Sequence, residues 1–274
     1  MSEQTYIAPR TALFMPASNA RAMEKARGLA VDMVILDLED AVKAEDKETA
    51  RAAAVAASGT FGGRMVGIRV NAEDSDHFKD DLKAVKKSAA THVVIPKVEA
   101  PEVILTASAY AKRPVLAMIE TPAGVMNVGP IASVEGWGQE IAGLIVGTND
   151  LAAGLRLPPG AGRDAMAMAL QLVVLAARGR EIWALDGVFN ALDDPEGLEA
   201  ECRAGRMLGF DGKSLIHPGQ IEIAARAFAA TEAEIADARA LIAAASGGAE
   251  RYKDRMIEEM HVDQAKALLA RESA

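Results

Sequence analysis

Short, nearly unbroken apolar runs recur along the chain, separated by alanine-rich stretches with helical spacing. The runs are TALFM (11–15), DMVIL (32–36), MVGIRV (65–70), HVVIP (92–96), VLAMI (115–119), GLIVG (143–147), IWALDGV (182–188) and GKSLI (212–216). Each is apolar at consecutive rather than alternate positions, the pattern of a strand buried on both faces of a parallel sheet. The clearest helical stretch is 163–180, where Met166, Leu170, Val173, Val174 and Ala177 share one face. Eight strand–helix pairs in about 220 residues predict an α/β fold of the closed TIM (β/α)₈ barrel type. An open doubly wound sheet would be marked by a GxGxxG turn after a strand, and none is present.

After the eighth strand the pattern predicts a helix near 219–229, a second near 232–245, a break at Ser246-Gly247-Gly248, and a tail to 274. The expected division is a barrel over 1–230 and a C-terminal helical extension over 231–274. The tail carries Met256, Ile257, Met260, Leu268 and Leu269, which a closed barrel has little need to bury. Packing of the tail on a neighbouring subunit, hence a homo-oligomer, is the expectation.

Composition narrows the function. Aromatic residues make up 4% of the chain and hydrophobic residues 50%, so the core must be built from Ala, Val, Leu, Ile and Met. The net charge is −9 and the basic residues are scattered, which argues against a nucleic-acid partner. The single cysteine, Cys202, rules out an internal disulfide framework and suits a reducing compartment. The N-terminal MSEQTYIAPR has no apolar leader core, and no run approaches the roughly 18 apolar residues of a membrane span. A cytoplasmic protein is expected. An acidic protein that binds an anion must gather positive charge locally, through a metal ion or a few arginines.

Barrel active sites lie where strands end. The predicted ends carry Ser18 and Asn19; Asp37, Glu39 and Asp40; Arg69 and Asn71; Lys97 and Glu99; Glu120; Thr148, Asn149 and Asp150; Asp186 and Asn190; Lys213, Ser214 and His217. No CxxC, HExxH or GxSxG occurs, so zinc and serine-nucleophile chemistries lack support. Oxygen ligands point to a hard cation, and Mg²⁺ is commonly held by one or two carboxylates. Glu120 and Asp150, after adjacent strands, are the candidate pair. Each residue also has a plainer reading. Glu120 or Asp150 can open a helix; Arg69 can pair with a neighbouring carboxylate; His217-Pro218 suits a turn. Lys97 is left open.

Ten segments, in order, resemble the citrate lyase β-subunit/malyl-CoA lyase family within the HpcH/HpaI aldolase superfamily. They are RTALFMPASN (10–19), VILDLEDAV (34–42), ARAAA (50–54), IRVN (68–71), VVIPKVE (93–99), IETPAGV (119–125), VGTNDLAAGL (146–155), DGVF (186–189), GFDGKSLIHPGQI (209–221) and MIEEMH (256–261). The resemblance implies a TIM barrel with Mg²⁺ on Glu120 and Asp150. It implies that Arg69 contacts substrate oxygens and that Glu39 and Asp40 support metal-bound waters. It also implies trimers, or multiples of them, in which the tail closes over an adjacent subunit. Many members carry an aspartate in the tail motif where this chain has Glu258, the expected acid/base group.

The implied reaction is carbon–carbon cleavage of a 3-hydroxyacyl-CoA thioester, of malyl, citramalyl or citryl type, to a 2-oxo acid and an acyl-CoA. Backbone amides at Thr148, Asn149 and Asp150, where a helix opens, are expected to grip the 2-oxo acid carboxylate. Arg21 and Lys25, four residues apart, are expected to face CoA phosphates. Hydrolysis of the thioester is one alternative. A metal-dependent 2-oxo acid aldolase is another, weakened because DLEDAV lacks the histidine found near that branch's acidic motif.

Overall fold

The computed structural model describes residues 7–134 and 141–272. Most of the N-terminal segment read above for a leader, and the last two residues of the tail, lie outside those ranges.

Eight parallel strands close into a barrel: β1 (Thr11–Pro16), β2 (Met33–Asp37), β3 (Met65–Arg69), β4 (His92–Ile95), β5 (Val115–Ile119), β6 (Ile141–Val146), β7 (Trp183–Asp186) and β8 (Gly212–Leu215). β8 pairs back to β1, with Ala12 against Ser214. All eight expected strands form, because each apolar run is buried on both faces. Ala12, Met33, Ile35, Val94, Leu116, Met118, Ile145 and Leu185 fill one cluster. Truncating Ile35 or Leu116 to alanine is expected to cost about 2–5 kcal/mol, the usual range for a buried aliphatic side chain.

Helices follow the strands: α1 (Ala20–Ala26), α2 (Lys47–Ala57), α3 (Phe78–Lys87), α4 (Pro101–Ala111), α5 (Pro122–Met126), α6 (Val128–Ala132), α7 (Thr148–Gly154), α8 (Ala167–Arg178), α9 (Pro195–Leu208) and α10 (Ile221–Phe228). Register does the positioning. Asp37 at the end of β2 stands opposite Arg69 at the end of β3. Ile119 stands opposite Val146, which brings Glu120 and Gly147 side by side.

The described residues form two compact units, Ala8–Ala227 and Phe228 onward with Ile7. The second contains α11 (Glu232–Ala244), a two-stranded antiparallel hairpin of β9 (Glu250–Tyr252) and β10 (Arg255–Ile257), and α12 (Glu259–Glu272). The sequence pattern predicts helices here but not the hairpin, and it leaves the tail's apolar residues for a neighbour. Within the chain, Ile257 is buried with Ala238, Leu241, Tyr252 and Ala265, and Leu268 and Leu269 pack against that cluster. Only Met256 and Met260 of the five are well exposed, at 63% and 57%. Among the described residues no helix is long and apolar enough to cross a membrane.

Candidate active site

Arg69 ends β3 and turns its guanidinium onto Asp37. Nε donates to Asp37 Oδ1 and Nη2 to Asp37 Oδ2, both at 2.7 Å. Nη1 lies 3.0 Å from Glu39 Oε2, and the guanidinium carbon sits 5.0 Å from the centre of the Phe14 ring. Burial opposes the charge on Arg69, but the Asp37 hydrogen bonds and the Asp37, Glu39 and Glu120 charges outweigh it and raise its pKa. The plainer reading of Arg69, an arginine paired with a neighbouring carboxylate, therefore holds. It does not remove the residue from the rim, because Glu39 and Glu120 share the same surroundings.

Glu39 is 5% exposed. Its backbone N–H donates to Asp37 Oδ1 at 2.9 Å, which turns the chain back after β2. Its Oε1 accepts from Lys97 Nζ at 2.6 Å. Burial raises the Glu39 carboxyl despite Arg69 and Lys97, which pull it down. Glu39 Oε2 is buried, and Arg69 Nη1, 3.0 Å away, pairs with it by charge without the alignment of a hydrogen bond. Such an atom has a lone pair left to accept a further hydrogen bond. Asp40, next in sequence, is exposed and lies 3.7 Å from Lys97 Nζ.

Glu120 follows β5 and is 3% exposed. The helix start at ETP is built by its neighbours. Thr121 Oγ1 accepts the Gly124 N–H at 3.0 Å, and Pro122 takes the first helical position. Glu120 is thus not the cap. Its Oε1 accepts the Lys97 backbone N–H at 2.7 Å. Lys97 holds a left-handed φ of 51°. That conformation is uncommon for a residue with a side chain. It presents the amide to Glu120 while the ammonium reaches Glu39. Gly147 completes the arrangement, since a Cβ there would lie 2.1 Å from Glu120 Oε2 and 2.4 Å from its Cβ.

Burial pushes the Glu120 carboxyl up to about 7. The Lys97 N–H and Arg69 favour ionisation, while Glu39 and Asp150 oppose it by repulsion. Asp150 lies within the first turn of α7, whose cap is Gly147, so it is not the capping residue either. A crowded, buried carboxylate beside a second one suits a hard divalent cation. Among the described residues no three His, Cys, Asp or Glu side chains cluster as a self-sufficient metal cage. Two carboxylates fit Mg²⁺ nonetheless, because that ion keeps several waters or substrate oxygens.

Thr148 and Asn149 use their side chains to tie β6 to β7. Thr148 Oγ1 donates to the Val188 carbonyl at 3.5 Å, and Asn190 Nδ2 donates to Asn149 Oδ1 at 2.6 Å. Arg21 and Lys25 are exposed on α1. Asp186 and Lys213 are fully buried and form a separate network. Lys213 Nζ lies 2.7 Å from Glu201, and Arg163 Nη2 lies 2.7 Å from Asp186. His217 accepts the Gly219 N–H at 3.1 Å and caps a turn. In the other compact unit Glu258 is exposed between β10 and α12, its N–H donating to His261 Nδ1 at 3.0 Å.

A profile of the HpcH/HpaI aldolase/citrate lyase family matches residues 10–218. A (3S)-malyl-CoA thioesterase of Cereibacter sphaeroides is 40% identical over 97% of this chain and 95% of its own. The chain belongs to the HpcH/HpaI aldolase/citrate lyase family. Within it, a citrate lyase subunit beta of Leuconostoc mesenteroides is 34% identical over 86% of this chain and 82% of its own. The CitE protein of Mycobacterium tuberculosis, solved with magnesium, acetoacetate and coenzyme A, superposes with a TM-score of 0.83. It is 30% identical and covers 98% of this chain and 100% of its own.

Three features of this family member's site were not assigned from sequence. Asp37 is the two-point partner of Arg69, Lys97 bridges Glu39 and Glu120, and Gly147 makes room for the Glu120 carboxylate. The first two depend on pairing between strands and carry no signal within one motif. The third had a clue, a glycine directly before Thr148-Asn149-Asp150.

Proposed function

We propose that this chain is a Mg²⁺-dependent enzyme that cleaves a carbon–carbon bond in a 3-hydroxyacyl-CoA thioester, releasing a 2-oxo acid and an acyl-CoA. Malyl, citramalyl and citryl groups are the candidate acyl chains. The observation that carries this reading is Glu120. It is a buried carboxylate crowded by Glu39 and Asp150 and flanked by the engaged cation Arg69. The CitE relative, holding magnesium, acetoacetate and coenzyme A, supports the same ligand classes here.

In cleavage the hydroxyl proton leaves as the Cα–Cβ bond breaks. The bonding pair becomes a thioester enolate, and the enolate carbon then takes a proton. Mg²⁺ on Glu120 and Asp150 would supply Lewis-acid polarisation of the 2-oxo acid oxygens. Arg69 offsets negative charge as it develops, the electrostatic contribution that often dominates. Asp37 and Glu39 hold the guanidinium in place before substrate arrives. Glu258 is the proposed proton donor, acting from a neighbouring subunit of a homotrimer or a multiple of it. Arg21 and Lys25 are assigned to the CoA phosphates, and the α7 amides at Thr148 and Asn149 to the 2-oxo acid carboxylate.

Hydrolysis of the thioester is the second reading, favoured by 40% identity to a malyl-CoA thioesterase. Malyl-, citramalyl- and citryl-CoA with Mg²⁺, assayed separately for free thiol and 2-oxo acid, divide the two. A 2-oxo acid without thiol supports the lyase. Thiol without a 2-oxo acid overturns it in favour of hydrolysis.

A further inference from the structure

The acidic loop after β2 is held from behind by a group outside the site just described. Lys47 is the first residue of α2. A cation there opposes the helix dipole, so its placement needs a separate cause. Its Nζ donates to the Leu38 carbonyl at 2.7 Å, to the Glu39 carbonyl at 2.7 Å and to Asn71 Oδ1 at 2.6 Å. An ammonium has three hydrogens, and each has an acceptor. Asn71 is fixed in turn, with its backbone N–H and its Nδ2 donating to Asp81 Oδ2 at 3.0 and 2.6 Å. Asp81 is fully buried, and its other oxygen takes Arg51 Nε at 2.5 Å. Asn71, which the sequence places at the end of β3 beside Arg69, faces this relay and is 5% exposed.

Backbone groups of the loop depend on Lys47. The Leu38 N–H donates to the Arg69 carbonyl at 2.9 Å, and the Glu39 N–H to Asp37 Oδ1 at 2.9 Å. The Leu38 carbonyl ends on the ammonium, and the Glu39 carbonyl is shared between the ammonium and the Val42 N–H at 3.0 Å. Removing the ammonium strands the buried Leu38 carbonyl and Asn71 Oδ1 and takes one of two donors from the Glu39 carbonyl, which the chain relieves by moving the loop toward water. Glu39 would move with it, and with Glu39 the contacts to Arg69 and Lys97.

We infer that Lys47 is a positioning residue for the site. It locks the acidic loop so that Glu39 meets Arg69 and Lys97, and Asn71, Asp81 and Arg51 hold it in line. The inference rests on the proposed function for its kinetic consequence but not for the loop contact itself. The test is Lys47→Met and Lys47→Arg in the full chain, with Lys83→Met, whose side chain is exposed on α3, as control. Amide hydrogen exchange at residues 38–42 and turnover of the preferred CoA thioester are followed together. In Lys47→Met, protection at 38–42 falls while β5 and β6 are unchanged. kcat falls about 10- to 100-fold, the scale of a misplaced site group. KM moves less than about threefold, since the loss is in positioning rather than uniform binding. Lys47→Arg, which keeps a cation with several donors, retains most of both, and it carries the test if Lys47→Met does not fold. Unchanged protection at 38–42 in Lys47→Met, or equal loss in Lys47→Arg and Lys47→Met, overturns the inference. If the wild type turns over none of the thioesters, the proposed function fails while the exchange measurement still decides the role of Lys47.

Discussion

Arg69 and Asp37 meet in a two-point ion pair across β2 and β3, Nε to Oδ1 and Nη2 to Oδ2, both at 2.7 Å. A planar guanidinium satisfies both carboxylate oxygens at once and keeps Nη1 toward Glu39. A lysine is a point charge that cannot reproduce this fork. Arg69→Lys is therefore expected to lower kcat/KM by roughly 100-fold, the scale for losing a preorganised stabilising donor. Its melting temperature should change little by comparison. Wild-type kinetics in Arg69→Lys would mean that the residue only holds the barrel rim together.

Lys97 has two separable roles. Its amide reaches Glu120 through a left-handed backbone, and its ammonium reaches Glu39. Lys97→Gly relaxes the backbone, whereas Lys97→Ala keeps the strain; both remove the ammonium and keep the amide. The glycine variant is expected to be more stable than the alanine variant by about 1 kcal/mol. Both should lose activity to the same degree. Denaturant melts paired with steady-state kinetics check this, and equal stability with unequal activity would contradict it.

Gly147→Ala places a methyl group where the Glu120 carboxylate lies, at 2.1 Å from Oε2. Glu120 must then swing away, and its partner amide at Lys97 is lost. Affinity for Mn²⁺, measured by calorimetry, is expected to fall about 10- to 100-fold, as when groups that orient a metal ligand are disturbed. Unaltered Mn²⁺ affinity would place the metal elsewhere.

The barrel was legible because its strands are buried on both faces and so read as unbroken apolar runs. Glu120, Asp150 and Arg69 were legible because polar residues stand where those runs stop. Their partners were not. Asp37 faces Arg69 only through the β2–β3 register, and Lys97 reaches Glu39 and Glu120 across three strand ends. The β9–β10 hairpin was hidden for another reason. Its strands, ERY and RMI, are three residues each, too short to show a period. Lys47 gave no signal either, since a lysine opening a helix in sequence looks like ordinary surface charge.

The proposed role of Glu258 predicts rescue between two inactive variants. Glu258→Ala subunits keep the metal carboxylates, and Asp150→Ala subunits keep the tail. If Glu258 acts in a neighbour's site, co-expressed oligomers contain some complete sites and regain part of the wild-type activity. Differently tagged subunits establish that mixing occurs. Mixed oligomers with no activity would place Glu258 in its own chain's site or outside catalysis.

Away from the rim, one buried histidine makes stability depend on pH. His92 opens β4, 8% exposed, with Nδ1 2.8 Å from Thr91 Oγ1 and its ring 5.1 Å from that of Trp183. Burial lowers its pKa from 6.5 to about 4. The unfolded chain therefore binds a proton between these values that the folded chain does not. Stability from this group is complete above about 6.5 and is lost as pH falls toward 4. From pH 8 to pH 5 the loss amounts to about 2 kcal/mol, given roughly 1.4 kcal/mol for each tenfold difference in proton affinity between the folded and unfolded chain. His92→Phe cannot take up that proton and keeps a ring against Trp183. Urea melts at pH 8 and pH 5 should show a smaller drop in His92→Phe than in wild type, by about 2 kcal/mol. The bottom of a barrel serves stability rather than chemistry, so kcat of the two proteins at pH 8 should agree. An identical pH dependence in both would mean that His92 is protonated as readily in the folded chain as in the unfolded one.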